Sequence, residues 1–225
     1  MAQKNKYYPR SKISEARFRA LVRCFALDLT ATDTAAISGL SVRSVNQIYQ
    51  RIRHRLAEEC ERQSPLAGVI EVDESFFGPR LVRGKKGRGA YGKTIVFGIL
   101  KRGEAVYTEI VPDCKKATLQ AVIRGHVALE SIIHSDSLSS YDGLVDVGYA
   151  KHLRVRHSHN EFALGSNHIN GIESFWSFAK RRLAKLNGVP GKTFYWHLKE
   201  CEFRFNHRQG NLYQTLLRLL RTHPI

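Results

Sequence analysis

Cysteine is scarce in this chain, and none of it is paired. The four cysteines are Cys24, Cys60, Cys114 and Cys201, and no C-x-x-C spacing occurs among them. This spacing argues against a zinc site built from closely spaced thiolates, and it offers no framework for disulfide bonds. We therefore expect ordinary buried or half-buried cysteines.

Long apolar runs are also missing. No stretch approaches the roughly 18 apolar residues that a membrane-spanning helix needs, and no basic amphipathic tail stands apart from the body of the chain. The segment from Met1 to Arg10 is polar and lacks the apolar core of a secretory signal. We therefore expect a cytoplasmic protein without a membrane partner.

Acidic residues are few relative to basic ones. The 225 residues include 36 Lys and Arg against 20 Asp and Glu, which gives a formal net charge of +16 and a pI near 10.0. Such a surplus causes self-repulsion unless a polyanion is bound, so nucleic acid is the first candidate partner and a ribosomal type of structural protein is an alternative. A hydrophobic content of 43% is enough to bury a core. The composition therefore favours one large domain, or a catalytic domain with a small appendage.

The N-terminal part of the chain has the pattern of helices. Ser14 is placed to cap a first helix, a short second helix ends at Gly39, and Ser41 is placed to cap a longer third helix. Apolar residues of the third helix recur at helical spacing. They are Val42, Val45, Ile48, Tyr49 and Ile52. This layout is that of a helix-turn-helix, and the break around Pro65 leads us to predict two domains, 1–64 and 65–225.

The outward face of the predicted third helix is rich in hydrogen-bonding side chains. They include Arg43, Asn46, Gln47, Gln50 and Arg51. Side chains of these types read base edges or hold phosphates when such a helix lies in a DNA groove. An ordinary helical hairpin with a solvated face is the alternative, but the basic net charge favours DNA. We therefore predict that residues 1–64 form a DNA-binding domain.

After residue 65 the pattern changes to strands and helices. The predicted strands cover 69–75, 94–100, 105–111, 131–136 and 153–157, and the predicted helices cover 117–130, 169–186 and most of 193–221. A tight hairpin at 101–104 joins the second and third strands. The predicted fold class is therefore α/β, with a mixed sheet flanked by helices and a small all-α domain in front.

A basic, glycine-rich segment without acids lies between the first two strands, at 79–93. Its cations include Lys85, Lys86, Arg88 and Lys93. Cations and backbone N–H groups in such a loop suit contact with phosphates, and a plain solvated loop is the alternative. The spacing does not match the G-x-x-x-x-G-K-[ST] loop, so we do not predict nucleotide hydrolysis.

Two predicted strands carry an aspartate at their C-terminal end. Asp73 lies two residues before the last residue of the first strand, and Asp136 is the last residue of the fourth. A strand end can hold a metal-binding carboxylate on a rigid support, although one acidic strand end alone could merely mark the chain leaving the core. Asp142 and Asp146 compete with Asp136 but lie beyond its strand. We therefore predict that Asp73 and Asp136 are two ligands of one metal site.

Two further acids flank Asp73. Glu71 lies two residues earlier and should share the face of Asp73, while Glu74 should point to the opposite face. We choose Asp73 because it lies at the predicted strand end, where a ligand can reach both metal and solvent. We expect Glu71 to lie deeper or to be paired.

The helix predicted over 169–186 supplies the third acid. Its apolar stripe includes Ile172 and Trp176, and Glu173 and Lys180 lie together just off the edge of that stripe. Seven residues, roughly 10.5 Å along the axis, separate Glu173 from Lys180, so they cannot form the usual surface ion pair. A metal ligand beside a phosphate-holding cation suits this placement. Glu161, in the preceding polar loop, is the rival for the third acid.

The acids and their neighbours resemble a known family when they are taken in order. The matching stretches are 72–74, 87–93, 134–136, 170–176 with Lys180 and Arg181, and 202–208. In this combination the chain resembles the small bacterial DDE transposases of the ISXO2-like type, whose catalytic domain is RNase-H-like. Many relatives begin with a zinc ribbon, whereas this chain begins with helices and has no paired cysteines. Some relatives place an Asn at the third acid, which makes Asn170 a neighbour of the site.

The resemblance implies a role for each acid. Asp73, Asp136 and Glu173 would be the catalytic metal ligands, with Asp73 bridging two ions and the other two binding one ion each, while Lys180 and Arg181 would contact DNA. Attack on a phosphodiester builds charge on the incoming and leaving oxygens, and two divalent ions about 3.5–4 Å apart stabilise both. Oxygen ligands suit Mg²⁺, with Mn²⁺ as a substitute.

The resemblance also implies the partners. These are double-stranded DNA, at the transposon ends and at the target, and further copies of the chain, as a homodimer or a larger assembly that synapses two ends. The implied location is the bacterial cytoplasm, at the nucleoid. A non-catalytic helix-turn-helix regulator and an RNase-H-like nuclease that cuts without joining are the alternatives. A regulator has no need of three acids at these positions, which favours the transposase.

Overall fold

The computed structural model describes residues 5–62, 66–78, 92–136, 139–144, 148–154 and 168–225. The chain divides into two compact units, one made of the residues up to Cys60 together with Asn206–Ile225, and one made of Glu61–Phe205. The prediction assigned everything after residue 64 to the second domain. The C-terminal residues instead join the first unit, because the apolar side of their helix, at Leu216 and Leu220, is buried there.

The first unit is built from four helices in the described part of the chain. They are α1 (Glu15–Ala26), α2 (Ala31–Ser38), α3 (Val42–Glu61), whose last residue belongs to the second unit, and the C-terminal helix (Leu212–Thr222). The Ser14 side chain accepts a hydrogen bond from the Arg17 N–H, and Ser41 accepts one from the Ser44 N–H at 3.1 Å. Gly39 ends α2 with φ +64°, a conformation that favours glycine. The predicted starts and stops are confirmed.

The turn between α2 and α3 is fixed by a buried polar contact. The hydroxyls of Thr34 and Tyr49 lie 2.7 Å apart, and both side chains are buried. Val45, Ile48 and Ile52 form the predicted buried stripe of α3, but Val42 is 42% exposed. The prediction for Val42 was therefore wrong: the first residue of α3 lies outside the stripe.

The second unit contains a five-stranded mixed sheet. Its strands are β1 (Val69–Phe77), β2 (Thr94–Lys101), β3 (Val106–Val111), β4 (Ile132–Ser135) and β5 (Lys151–Arg154), in the order β3-β2-β1-β4-β5. The pairs β1–β2 and β2–β3 are antiparallel, while β1–β4 and β4–β5 are parallel. The predicted hairpin is confirmed, because Lys101 N–H donates to the Ala105 carbonyl at 2.8 Å.

Helices cover both faces of this sheet. One face packs against α4 (Lys116–His126) through residues such as Val72, Phe97 and Leu119. The other packs against α5 (Asn170–Ala184) and α6 (Gly191–Asn206) through residues such as Val96 and Phe175. The predicted α/β class, an RNase-H-like mixed sheet flanked by helices, is confirmed by this topology. None of the helices in the described ranges has the length and apolarity needed to cross a membrane.

Some predicted elements differ from the structure at their ends, among them α4 and β5. α4 ends at His126 rather than at 130, because Val127 turns into an extended bridge with Leu66. β5 begins two residues earlier than predicted, and the predicted residues 155–157 lie outside the described part of the chain. Both differences follow from pairing with distant residues, which local periodicity does not report.

The aromatic and basic stretch at 202–208 begins on α6, and its first members are buried. The Glu202 carboxylate accepts hydrogen bonds from the N–H and the hydroxyl of Thr108, at 2.8 and 2.6 Å. Lys199, which is also fully buried, lies 3.1 Å from Glu202. These buried charges are paired, as buried charges must be. They attach α6 to β3.

Candidate metal centre

Asp73 lies inside β1 and not at its end. β1 continues to Phe77, and it stays paired with β2 throughout, with Asp73 opposite Gly98. The prediction that Asp73 lies at the strand end was therefore wrong. On its other side, however, β1 pairs with β4 only as far as Glu71, opposite His134. Asp73 thus lies on an open edge of the strand, just beyond the last pair with β4.

Asp136 reaches the same edge from the neighbouring strand. It follows directly after β4, and the register that pairs Glu71 with His134 would set it level with Asp73. Asp73, Glu74 and Asp136 each offer a carboxylate oxygen, and these three oxygens lie within 4.8 Å of one another. The structure thus brings together the two predicted aspartates, and we call these three residues the carboxylate cluster.

Glu74 is the member that sequence reasoning left out. As predicted, it points to the opposite face from Asp73: its Oε2 accepts a hydrogen bond from the Tyr141 hydroxyl at 2.7 Å, and Tyr141 is buried on the α4 face. Its carboxylate still reaches the cluster because β4 has already ended beside it. The available signal was the adjacent acid pair Asp73-Glu74 in an otherwise basic chain.

Glu173 is exposed on the first turn of α5 and is not a member of the carboxylate cluster. One turn later, the indole N–H of Trp176 donates to Asp73 Oδ2 at 3.0 Å. Residues three and seven positions apart share a side of a helix, so Glu173 and Lys180 lie on the same side of α5 as Trp176. The role of Glu173 as the third ligand stays a prediction. Asn170 is the first residue of the same helix.

The cluster concentrates negative charge in a partly desolvated place. Burial, followed by the charges of Glu74 and Asp136, raises the pKa of Asp73 to about 7, against the opposing effect of the Trp176 hydrogen bond. Carboxylates held this close repel one another until a cation separates them. Oxygen donors are the ligands that Mg²⁺ and Mn²⁺ prefer. The residues present therefore fit a divalent ion.

A glycine opposite Asp73 makes room for Trp176. A Cβ added at Gly98 would lie 2.6 Å from Trp176 Cζ2 and 2.8 Å from Ile172 Cδ1, which is closer than real contacts allow. The indole can therefore lie flat enough on the sheet to reach Asp73. Neither Gly98 nor the Trp176 contact was predicted, although a glycine inside a strand pattern is a known sign of close approach.

Glu71 is completely buried and paired, as expected. Its Oε1 accepts from Arg102 Nε at 2.7 Å, and its Oε2 accepts from the Ile172 N–H at 2.9 Å. Because these partners occupy the carboxylate, Glu71 is not available as a member of the cluster. Of the two acids on this face of β1, Asp73 is therefore the one that belongs to the cluster.

Sequence comparison places this sheet and its carboxylates in a family. The model of the ISXO2-like transposase domain matches residues 65–206, which is more than half of the chain. The chain belongs to the ISXO2-like transposase family. The matched range nearly coincides with the second compact unit of this transposase.

Two relatives and two solved structures resemble the transposase. A transposase-like protein of Haemophilus influenzae is 47% identical over 104 residues, which cover 46% of this chain and 83% of the relative. A protein in the transposable element ISH50 of Halobacterium salinarum is 27% identical over 179 residues, or 72% of this chain and 60% of the relative. The Mos1 strand transfer complex has a TM-score of 0.31 at 16% identity, over 90% of this chain and 79% of that chain. The Mos1 mariner paired end complex with Mn has a TM-score of 0.30 at 15% identity, over 96% of this chain and 81% of that chain.

Two lysines of the transposase flank the carboxylate cluster. Lys180 Nζ lies 5.7 Å from the centre of the Phe77 ring. Burial lowers the pKa of Lys180, the negative charge of Asp73 opposes this, and the nearby Lys93 lowers it further. Lys180 thus lies near Asp73, and Lys93, the residue before β2, lies near Lys180. Arg181 is exposed on α5, and the predicted Lys85, Lys86 and Arg88 lie outside the described residues.

The predicted DNA-reading residues of α3 are exposed. They are Arg43, Asn46, Gln47, Gln50 and Arg51. The guanidinium of Arg51 lies 5.2 Å from the centre of the Tyr8 ring. Among the rival acids, Asp142 forms an ion pair with Arg154 at 2.5 Å. Asp146 and Glu161 lie outside the described residues.

The raised pKa of Asp73 gives the metal-free transposase a specific pH dependence. Between the ordinary value of 3.8 and about 7, folded Asp73 holds a proton that the unfolded chain has released. Stability falls with rising pH wherever the folded state binds more protons, so this group destabilises the protein as pH rises from about 4 to about 7. In EDTA, we expect the melting temperature of Asp73→Asn to fall less between pH 5 and pH 8 than that of the parent. Mg²⁺ should stabilise the parent more at pH 8 than at pH 5.

Calorimetry or thermal fluorescence checks this expectation. Other groups also titrate in this range, so the informative quantity is the difference between the two proteins at each pH. Equal pH dependence in the parent and Asp73→Asn would show that Asp73 carries no raised pKa.

Proposed function

We propose that this protein is a DNA transposase that binds the terminal inverted repeats of its element, cleaves the DNA there and joins the freed ends to target DNA. The observation that carries this proposal is the convergence of Asp73, Glu74 and Asp136 at the open edge of β1, within the range matched by the family. Three acids at one edge serve no structural purpose, since they repel one another and raise the pKa of Asp73. Binding of a cation that the protein needs for its function explains why three acids are present at this edge despite their repulsion.

The acids are assigned as ligands of two divalent ions, Mg²⁺ or Mn²⁺. Asp73 would be the ligand shared by both ions, and Asp136 and Glu173 would each hold one. When bound, such ions stabilise charge on the attacking and leaving oxygens of a phosphodiester and acidify the attacking water. Glu74 adds a further carboxylate beside Asp73 and Asp136. Its hydrogen bond from Tyr141 fixes its direction.

The other residues of the site hold its parts in place. Trp176 orients the Asp73 carboxylate through its indole N–H. Lys93 and Lys180 hold the phosphates next to the scissile bond and balance part of the negative charge. Arg181 and the loop residues Lys85, Lys86 and Arg88 extend this basic surface along the DNA.

Recognition of the transposon ends is assigned to α3. Its exposed polar residues, Asn46, Gln47 and Gln50, face base edges, and Arg43 and Arg51 hold backbone phosphates. The partners are double-stranded DNA and other copies of the chain, as a homodimer or a larger assembly that brings two ends together. The protein acts in the cytoplasm, where it finds its DNA.

Incubation with a labelled duplex that carries the element's end, an unlabelled target and Mg²⁺ tests the proposed function. We expect products that are cut at the end, and joined products that appear in the target. Cut products without any joined ones would instead identify a nuclease. Sequence-specific binding that is indifferent to metal, with neither product, would identify a regulator.

Replacement of the two lysines beside the cluster should weaken DNA binding in a salt-dependent way. Log affinity falls linearly with log salt, and each phosphate that the protein no longer neutralises reduces the steepness of this fall by about 0.7–0.9. We therefore expect Lys93→Gln and Lys180→Gln each to reduce the steepness by roughly that amount, and the double variant to reduce it by about twice as much. Lys101→Gln is the matched control, because Lys101 lies at the hairpin and is paired with Glu104 at 2.7 Å. Unchanged slopes in both single variants would remove these lysines from the DNA interface.

A further inference from the structure

We infer that Glu71 is a positioning residue of this transposase: it fixes α5 against β1 so that the Trp176 indole meets Asp73. The inference rests on the proposed function in one respect, namely that Asp73 is a metal ligand. Glu71 itself lies outside the carboxylate cluster and would touch neither metal nor DNA.

The Glu71 carboxylate caps a helix to which it does not belong. α5 starts at Asn170, and the preceding residue, Ile169, has no side-chain acceptor for the first N–H groups of the helix. Glu71 supplies one from β1, since its Oε2 accepts from the Ile172 N–H at 2.9 Å. A negative charge at a helix N-terminus is also favoured by the helix dipole. The start of α5 is thereby attached to one residue of the sheet.

The spacing of two bonds fixes the position of α5 along β1. Glu71 and Asp73 share a face of the strand and lie about 6.6 Å apart along it. Their partners, Ile172 and Trp176, are four residues apart, which is about 6 Å along a helix axis. The two bonds, Glu71 to Ile172 and Asp73 to Trp176, therefore match in spacing. A slide or rotation of α5 that broke the first would also move the indole away from Asp73.

Glycines allow the close approach at both bonds. A Cβ added at Gly171 would lie 2.8 Å from Glu71 Oε2 and 2.9 Å from Leu100 Cδ2. The corresponding position beside Trp176 is Gly98. At each of the two bonds, a glycine thus leaves room where a larger residue would push α5 and the sheet apart. The close contact is a property of the local sequence.

Arg102 completes the attachment and neutralises the buried charge. Its Nε donates to Glu71 Oε1 at 2.7 Å, and its Nη2 donates to the carbonyl of His168, just before α5 begins. His168 Nδ1 also lies 3.6 Å from Glu71 Oε1. One carboxylate thus joins β1, the β2–β3 hairpin and the chain entering α5. The same short stretch of β1 thus fixes the position of α5 through Glu71 and contributes Asp73 to the carboxylate cluster.

The Trp176 indole provides a direct readout of this arrangement. The chain has two tryptophans, so Trp196→Phe leaves Trp176 as the sole indole. In this background, ¹⁵N-labelled protein without metal gives one indole N–H resonance, whose exchange with solvent is slowed by the bond to Asp73. Glu71→Gln keeps the shape of the side chain but offers one acceptor oxygen in place of two. We expect a shifted resonance and roughly tenfold faster exchange, the effect of losing one hydrogen bond of this class.

Glu202→Gln is the matched control, because it also neutralises a buried carboxylate that is bonded to the backbone, here at Thr108 of β3 rather than at the start of α5. We expect its indole resonance and exchange rate to equal those of the parent. An unchanged indole in Glu71→Gln would overturn the positioning role. If Glu71→Gln fails to fold, Gly171→Ala tests the same contact from the helix side. We again expect faster exchange of the Trp176 indole N–H, and an unchanged exchange rate would again contradict the inference.

A second measurement, with Mn²⁺, tests the metal role of Asp73 separately from the positioning role of Glu71. Mn²⁺ quenches a nearby indole, so Trp176 emission should fall as Mn²⁺ is added to the Trp196→Phe protein, and more Mn²⁺ should be needed after Glu71→Gln. Absence of quenching in the Trp196→Phe protein would contradict the metal role of Asp73. The exchange experiment, which contains no metal, would still decide the role of Glu71.

Discussion

Asp73→Asn should abolish strand cleavage and joining, with a loss in rate on the order of 10³-fold or more. The substitution keeps the shape of the side chain and an acceptor for the Trp176 indole, but it removes the charge of the central ligand. Metal ions contribute several kcal/mol to the stabilisation of transition-state charge, and each 1.36 kcal/mol is about tenfold in rate. Single-turnover cleavage of an end-containing duplex measures the effect. DNA binding in the absence of metal should remain within a few-fold of the parent.

Asp142→Asn is the matched control for this prediction. Asp142 is a nearby acid on the C-terminal side of Asp136, but it is half exposed and paired with Arg154. Its replacement should change the cleavage rate only slightly, because exposed ion pairs contribute little. Undiminished cleavage by Asp73→Asn would refute the proposed chemistry, and a large loss in Asp142→Asn would place a different acid in the site.

Gly98→Ala should lower the free energy of unfolding by about 1–3 kcal/mol, the usual cost of overpacking a core. The new methyl group would meet Trp176 and Ile172 at distances under 3 Å, and both are buried side chains on a packed helix. To relieve the contact, α5 must move away from the sheet, which draws the indole away from Asp73. Urea denaturation measures the stability, and cleavage activity should fall as well.

Gly125→Ala is the matched control for the packing effect. Gly125 lies on α4, and a Cβ added there would meet nothing within 4 Å. Alanine is favoured over glycine in helices by roughly 0.5–1 kcal/mol, so this variant should be as stable as the parent or more stable. If Gly98→Ala were equally harmless, the close packing of Trp176 on the sheet would be wrong.

Local patterns were sufficient to predict most of the elements. Apolar runs on either side of a tight hairpin identified β2 and β3, and the apolar stripe of Ile172, Trp176 and their neighbours identified α5 within two residues at each end. Capping residues located the starts of α1 and α3. The errors concern ends that are set by distant partners, such as the extension of β1 to Phe77 along β2 and the end of α4 beside Leu66.

The candidate site was only partly predictable for the same reason. Asp73 and Asp136 follow from strand patterns and from the resemblance to a family, because both acids lie near where two strands separate. The contacts that organise them join residues about a hundred positions apart, Glu71 with Ile172 and Asp73 with Trp176. No periodicity in one sequence reports such contacts. Glu74 was not predicted as a member of the cluster because strand alternation alone points it away from Asp73. Its carboxylate can approach Asp73 only because β4 ends early beside it.

The boundaries of the family match nearly coincide with those of the unit that contains the sheet. The match covers 65–206, and the unit that contains the sheet covers Glu61–Phe205. The helical unit is assembled from both ends of the chain, since the C-terminal helix packs on α1. The unit that contains the sheet is thus the part that the family match covers, and our proposal assigns DNA-end recognition to the helices outside it.

Iron-directed backbone cleavage tests the metal centre most directly. Fe²⁺ in place of Mg²⁺, with ascorbate and peroxide, cuts the chain next to the bound ion, and mass spectrometry locates the cuts. We predict cuts around Asp73 and Glu74, around Asp136 and in the first turn of α5 around Glu173, all suppressed by excess Mg²⁺ and absent from Asp73→Asn. Cuts confined to other parts of the chain, or cuts at these places that persist in Asp73→Asn, would contradict the proposal that these acids hold the ions of a strand-transfer reaction.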